Sequence, residues 1–130
     1  MLNNLLVLVA EDELFIALDL ALAVEDVGGK VVGPVASSEE ALALLATKPV
    51  GAAILDVNLV DGDSWALAEV LVGLDVPFIV QTAVDVPPAM AARFPGLVVQ
   101  IKPCPAASLV AQLQGLLVAR EIPSGLASHD

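Results

Sequence analysis

The sequence predicts a single α/β domain whose parallel sheet is covered by helices on both faces. The chain has 130 residues, within the usual size range of one domain. Short, continuous apolar runs recur along it, as expected for strands that are buried on both faces. Segments with helix-terminus signals lie between these runs, and such alternation of strands and helices is typical of βαβ architecture.

The apolar runs also indicate the order of the strands in the sheet. Pro34 lies inside the second run and cannot donate to a ladder, so we expect that strand at an edge. The order 2-1-3-4-5 places it there, which is the flavodoxin-like, doubly wound (βα)5 arrangement with right-handed crossovers. The predicted strands are Leu5–Ala10, Lys30–Val35, Ala52–Leu55, Val76–Val80 and Leu97–Ile101.

Helix signals fill the intervals between the strands. The first predicted helix stops at Gly28-Gly29, and the second begins with the capping residues Ser37-Ser38. Several prolines between the last two strands leave room only for a short or irregular fourth helix, around Ala89–Phe94. We expect the domain to span residues 1–120 and residues 121–130 to form a frayed tail. The regular helices are predicted over Leu14–Val27, Ser37–Ala46, Ser64–Gly73 and Ala106–Arg120.

Charge and hydropathy exclude two classes of partner. The net charge of −11 would repel a nucleic-acid backbone. Although the mean hydropathy is +0.87, charges, prolines and polar residues interrupt every run approaching the roughly 20 residues of a membrane span. The start lacks the basic region of a signal peptide, and Cys104, the lone cysteine, fits a reducing compartment. We therefore expect a cytoplasmic protein without a nucleic-acid or membrane partner.

Polar side chains stand where the apolar strands end. Glu11 and Asp12 follow the first strand, Asp56 the third, Thr82 the fourth and Lys102 the fifth. The C-terminal ends of parallel strands share one edge, so these residues converge at the switch point where open α/β sheets bind ligands. Carboxylates held close together favour a bound cation, and an all-oxygen site suits Mg²⁺. The sequence predicts an acidic metal pocket flanked by a hydroxyl and an ammonium group.

Each of these residues also has a purely structural explanation. The acids can be first-turn residues favoured by a helix dipole, and Asp56 can be a turn residue. Thr82 can cap a helix, and Lys102 can be an ordinary solvated lysine. The combination of these residues at four strand ends, in the right chain order, favours a functional site over the separate structural explanations.

As a set, these residues resemble a known family. The pairs Glu11-Asp12, Thr82-Ala83 and Lys102-Pro103, with Asp56-Val57-Asn58, resemble the receiver domain of bacterial two-component response regulators. The similarity extends to about Arg120, and no output domain follows. The chain is therefore similar to a single-domain, stand-alone response regulator.

The resemblance implies a phosphoryl-transfer site. Asp56 would be the nucleophile that accepts a phosphoryl group from a histidine kinase or a histidine phosphotransfer protein. Thr82, the Ala83 N–H and Lys102 would contact the phosphoryl oxygens. Such transfers need alignment and charge neutralisation more than covalent chemistry from the protein. We expect no enzymatic activity beyond the chain's own phosphorylation and dephosphorylation.

The resemblance also implies a set of Mg²⁺ ligands. Asp12 and Asp56 would bind the ion through their carboxylates, and Asn58 would bind it through its backbone carbonyl. Glu11 would act through metal-bound water.

Three features depart from the family pattern. Val99 stands where the family usually carries an aromatic residue, three positions before the lysine. The loop after Asp56 lacks the usual proline, and the segment after Thr82 is rich in proline. These departures support the alternative of a pseudo-receiver, a binding module that phosphorylation does not regulate.

The residues fit two other functions less well than signalling. A Mg²⁺-dependent phosphatase with an aspartyl nucleophile is disfavoured because Asn58 replaces the second acid that such enzymes need, and no insertion could form a cap. A flavin-binding protein is disfavoured because no hydroxyl- or glycine-rich phosphate loop follows the first strand. The apolar first and last helices favour a homodimer or coverage by the kinase.

Overall fold

The protein's structure is a computed structural model that describes residues 2–121, with side chains to Arg120. The predicted frayed tail lies outside the described residues, except for Glu121 at the end of the last helix. The strands are β1 Leu6–Ala10, β2 Lys30–Val35, β3 Ala52–Asp56, β4 Asn58–Leu59, β5 Gly62–Asp63, β6 Phe78–Thr82 and β7 Val98–Ile101. The helices are α1 Leu14–Asp26, α2 Ser38–Thr47, α3 Trp65–Gly73, α4 Pro88–Arg93 and α5 Ala106–Glu121.

The main sheet has five strands in the order β2-β1-β3-β6-β7, and all its pairings are parallel. The predicted order 2-1-3-4-5 is confirmed, since β6 and β7 are the predicted fourth and fifth strands. The strand that carries Pro34 lies at the edge, as the missing N–H donor requires. The flavodoxin-like α/β fold places the ends of β1 and β3 side by side at the centre.

A short antiparallel hairpin, β4–β5, follows β3 and was not predicted. Asn58 pairs with Asp63 and Leu59 with Gly62. Two-residue strands are too short to be predicted from an apolar pattern. The turn depends on Gly62, whose φ of +118° is strained for residues with a side chain.

The core has two layers, one on each face of the sheet. On one face, α1 and α5 pack through Leu20, Val24 and Leu109 against β1 and β3. On the other face, α2 and α3 pack through residues such as Ala41 and Leu67. Every residue of β3 is buried, so the high hydropathy comes at least in part from strands covered on both sides. Within the described residues, no helix could cross a bilayer.

The predicted fourth strand was placed two residues too early. It was expected over Val76–Val80, but β6 is Phe78–Thr82. Pro77 has no N–H for the ladder, and its carbonyl accepts instead from the N–H of Ala53. As a result, Thr82 is the last residue of the strand rather than a residue of the loop beyond it.

The short fourth helix is confirmed. α4 has six residues, none of them buried, because prolines shorten the segment on which it forms. Phe94, directly after α4, is 6% exposed and stacks on Trp65 with ring centroids 5.7 Å apart. That aromatic pair fastens the end of α4 to the start of α3.

Candidate functional site

The C-terminal ends of the strands bring the predicted site residues to one edge of the sheet. Glu11 follows β1 and Asp56 ends β3, while Thr82 ends β6 and Lys102 follows β7. β1 and β3 are hydrogen-bonded neighbours, as are β6 and β7. The shared edge therefore results from the parallel topology.

Three acids form a tight cluster at this edge. Glu11, Asp12 and Asp56 each offer a carboxylate oxygen within 4.8 Å of the others. Glu11 and Asp56 are buried and Asp12 is exposed, so the cluster opens to solvent on the Asp12 side. Carboxylates at this spacing repel one another unless a cation lies among them. Oxygen donors open to water on one side are the ligands that Mg²⁺ prefers, so the residues present fit this ion.

Lys102 supplies the positive charge that the cluster needs. Its Nζ lies 2.7 Å from Asp56 Oδ2 and 3.1 Å from Glu11 Oε1. Burial alone would lower the pKa of Lys102, but the hydrogen bonds that it donates to Asp56 and then to Glu11 outweigh burial and raise the pKa. The ammonium group is therefore fully charged at neutral pH and bridges the two buried acids.

Glu11 is held by donors from three directions. Its Oε1 accepts from Gln81 Nε2 at 2.6 Å, and its Oε2 accepts from the backbone N–H of Glu13 at 3.0 Å. Lys102 is the third donor. Burial, with a further contribution from Asp56, nevertheless raises the pKa of Glu11 to about 7. The action of Glu11 on a metal through water stays a prediction.

Gln81 is a site residue that the sequence analysis missed. It is 1% exposed and lies next to Asp56 in the β3–β6 register. The available signal was a polar amide inside an otherwise apolar strand, since a buried amide needs a partner. That signal does not name the partner, which lies 70 positions away in the chain.

Local backbone contacts fix the Asp56 carboxylate. Its Oδ1 accepts from the N–H of Asn58 at 3.1 Å, which leaves Oδ2 to Lys102. The buried Ser64 hydroxyl donates to the Asp56 carbonyl at 2.7 Å. Asn58 thus lies next to Asp56, the predicted phosphoryl acceptor. That the Asn58 carbonyl binds a metal stays a prediction.

Thr82 is buried at the same edge, and its hydroxyl accepts from the N–H of Val84 at 3.2 Å. Its carbonyl accepts from the N–H of Lys102 at 2.8 Å, so the two residues are tied through the backbone. Ala83 is exposed. Contacts of Thr82 and Ala83 with a phosphoryl group stay predictions.

The alternative that the acids are first-turn residues of α1 is not supported. α1 begins at Leu14 and has no acid in its first turn. Glu13, the residue before it, makes no side-chain cap. Glu11 instead points its carboxylate at Gln81 and Lys102.

Comparison with solved structures places this fold in one family. SdrG from Sphingomonas melonis Fr1 is 34% identical, with a TM-score of 0.72 over 91% of this chain and 99% of that one. The response regulator PhyR from Brucella abortus is 29% identical, with a TM-score of 0.71 over 89% of this chain and 50% of that one. The receiver domain of the Erythrobacter litoralis PhyR response regulator is 26% identical, with a TM-score of 0.77 over 90% of this chain and 92% of that one. No protein-family model and no curated protein sequence matches the chain.

The chain belongs to the response-regulator receiver domains. It spans about half of the Brucella PhyR chain that it matches. The family assignment agrees with the resemblance carried by the strand-end residues, and it makes the chain a two-component signalling module.

Proposed function

We propose that this receiver accepts a phosphoryl group on Asp56 from a histidine kinase or a histidine phosphotransfer protein. One observation carries the proposal. The buried Asp56 carboxylate contacts the Lys102 ammonium group and clusters with the carboxylates of Glu11 and Asp12. The output would then be a protein–protein contact in the cytoplasm.

The transfer follows from the chemistry of a carboxylate nucleophile. An Asp56 carboxylate oxygen attacks the phosphorus of a phosphohistidine, and a P–O bond forms while the P–N bond breaks. The imidazole leaves with the electron pair, and an acyl phosphate stands on Asp56. The site has to align the acceptor and neutralise charge, and it needs no further covalent chemistry.

Lys102 is placed to neutralise the charge that arrives. Its Nζ contacts Asp56 Oδ2, so it already stands beside one oxygen of the acceptor. Thr82 can contribute a second contact because its hydroxyl accepts from Val84 and keeps its own hydrogen to donate. The Ala83 N–H would complete the set of donors to the phosphoryl oxygens.

The acids would hold Mg²⁺ beside the acceptor. Asp12 and Asp56 would bind through carboxylates, Asn58 through its carbonyl, and Glu11 through water. When bound, the ion supplies charge neutralisation at the phosphoryl oxygens. Beyond its own phosphorylation and dephosphorylation, the chain would catalyse no reaction.

Intact mass spectrometry tests the proposal. We expect a small phosphodonor such as acetyl phosphate, given with Mg²⁺, to add one phosphoryl mass to the wild type. Asp56→Asn is nearly isosteric and should gain none, and neither should the wild type with EDTA. A wild type without an adduct, or an adduct that survives in Asp56→Asn, would reject the proposal.

A pseudo-receiver is the second candidate. It is favoured by Val99, which is half-buried on β7 and cannot act as the family's aromatic switch residue, and by the exposure of α4. A folded wild type that takes no adduct from the phosphodonor would favour this candidate. Equal binding of a partner by the wild type and Asp56→Ala would favour it further.

A further inference from the structure

A carboxylate in the β4–β5 hairpin caps a helix that is distant in sequence. Asp61 Oδ1 accepts from the N–H of Ser38 at 2.9 Å, and Oδ2 accepts from the N–H of Glu39 at 3.1 Å. Both amides belong to the first turn of α2. We infer that Asp61 is a positioning residue that holds the hairpin, and with it Asn58, beside Asp56. This inference rests on the proposed function.

Asp61 completes an N-terminus that α2 cannot satisfy alone. The first four N–H groups of a helix lack partners within the helix. Ser37, the residue directly before α2, accepts from the N–H of Glu40 at 3.1 Å, and its hydroxyl donates to the Glu40 carboxylate, so it caps the helix from within the same segment. Asp61 takes the two amides between these residues. The two caps therefore serve the same helix end, but only Asp61 ties it to another part of the chain.

A neighbouring backbone contact reinforces the attachment. The N–H of Val60, at the tip of the hairpin, donates to the carbonyl of Ala36 at 3.0 Å. With the two bonds to Asp61, three hydrogen bonds thus run between the hairpin and the start of α2.

The hairpin needs such support. Each strand has two residues, and an isolated two-stranded hairpin is at best marginally stable in water. Leu59 is its buried side chain, whereas the rest of residues 58–63 are exposed. Few apolar contacts therefore hold it in place.

The position of the hairpin matters to the site because of its first residue. Asn58 donates its N–H to Asp56 Oδ1, and its carbonyl is the proposed metal ligand. A hairpin released from α2 would move Asn58 relative to Asp56. Asp61 thus acts on the metal site through Asn58, without contacting the metal site itself.

Charge favours the same arrangement. A carboxylate at a helix N-terminus interacts favourably with the helix dipole. The backbone N–H of Ser38, and then that of Glu39, lower the pKa of Asp61. Asp61 is therefore ionised, and accepts both hydrogen bonds, at the pH at which the site would work.

Comparing Asp61→Ala with Ser37→Ala tests the inference. Both remove a cap from α2, but only the first also removes hydrogen bonds between α2 and the hairpin. We expect Asp61→Ala to weaken Mg²⁺ binding, measured by calorimetry, by about five-fold, a usual size for coupling between sites. Ser37→Ala should destabilise the fold by a similar amount and leave the Mg²⁺ dissociation constant within about two-fold of wild type. Asp61→Asn keeps one acceptor oxygen and should fall between.

Amide hydrogen exchange in the metal-free protein provides a readout that does not depend on Mg²⁺. Amides of residues 58–63 should exchange faster in Asp61→Ala than in the wild type or in Ser37→Ala. Unchanged exchange in the hairpin, or equal weakening of Mg²⁺ binding by both variants, would overturn the inference. If Asp61→Ala fails to fold, Asp61→Asn is judged by the same two measurements. A wild type that takes no phosphoryl group would overturn the proposed function instead, and the exchange contrast would still decide whether Asp61 fastens the hairpin.

Discussion

The two sides of the sheet's C-terminal edge differ in how deeply their residues are buried and how many hydrogen bonds hold them, and we call them the firm side and the loose side. On the acid side, Glu11 is 2% and Asp56 is 4% exposed, and each of their four carboxylate oxygens accepts a hydrogen bond. On the other side, beyond Thr82, Ala83 and Val84 are exposed, and α4 buries none of its residues. One edge thus carries a densely bonded pocket next to a loosely packed segment.

Under the proposed function, this difference would separate the phosphoryl chemistry from the output. A phosphoryl acceptor works only if the acids and the ammonium group stand in place beforehand. A segment with few buried contacts can change position at a small free-energy cost. Thr82 lies at the boundary, buried at the end of β6, and its hydroxyl accepts from the N–H of Val84. The Trp65–Phe94 stack is a second connection between the two sides.

Removing the charge of Lys102 should lower the stability of the acid side more than any other change considered. Lys102→Met leaves Glu11 and Asp56 buried without their cation, which we expect to lower the free energy of unfolding by about 3 kcal/mol. Urea denaturation with EDTA measures the loss. Adding Mg²⁺ should recover part of it, because the ion then supplies the missing charge. A variant as stable as the wild type without metal would contradict this account of the pocket.

Titration of Glu11 should give the firm side its own pH dependence. The pKa of Glu11 is raised from 4.5 to about 7 in the folded chain, so the folded state holds a proton that the unfolded state has lost. Stability should therefore fall as pH rises through this window, by roughly 3 kcal/mol. Urea denaturation of the metal-free protein between pH 4 and 8 measures the fall.

Glu11→Gln is the matched control for this pH dependence. The amide does not titrate and can still accept from Lys102 and Gln81, so the slope between about pH 5 and 7 should flatten. An unchanged slope in this variant would assign the pH dependence to other groups.

Phe94→Leu should have the smallest effect on the free energy of unfolding. It removes the stack on Trp65 but keeps an apolar side chain in the same cluster, which we expect to cost about 1 kcal/mol. The change removes one connection between the two sides but no hydrogen bond of Glu11, Asp56 or Lys102, so the Mg²⁺ dissociation constant and the rate of phosphoryl acceptance should stay as in the wild type. Urea denaturation, calorimetry and intact mass provide the three readouts. Loss of Mg²⁺ binding in this variant would show that the two sides are not separate.

Much of the fold could be predicted because it depends on local patterns. Continuous apolar runs fixed the strands of the main sheet, and Pro34 fixed the edge strand through its missing donor. The residues at the strand ends could be assembled into a site because parallel topology brings them to one edge. The shortness of α4 followed from its prolines.

The remainder depends on contacts between distant residues. The partner of Gln81 is Glu11, 70 positions away, and Asp61 caps amides 22 and 23 positions away. No spacing in the sequence encodes such pairs. The start of β6 was misplaced because Val76 fits a strand by composition, whereas Pro77 interrupts the ladder.

A crystal structure with Mg²⁺ and beryllofluoride, a phosphoryl mimic, tests the central claim most directly. The account predicts the mimic on Asp56, with Lys102 and Thr82 at its fluorides. It also predicts the ion on the carboxylates of Asp12 and Asp56 and on the Asn58 carbonyl. Crystals that hold Mg²⁺ elsewhere, with Asp56 bare and Lys102 turned to solvent, would contradict it.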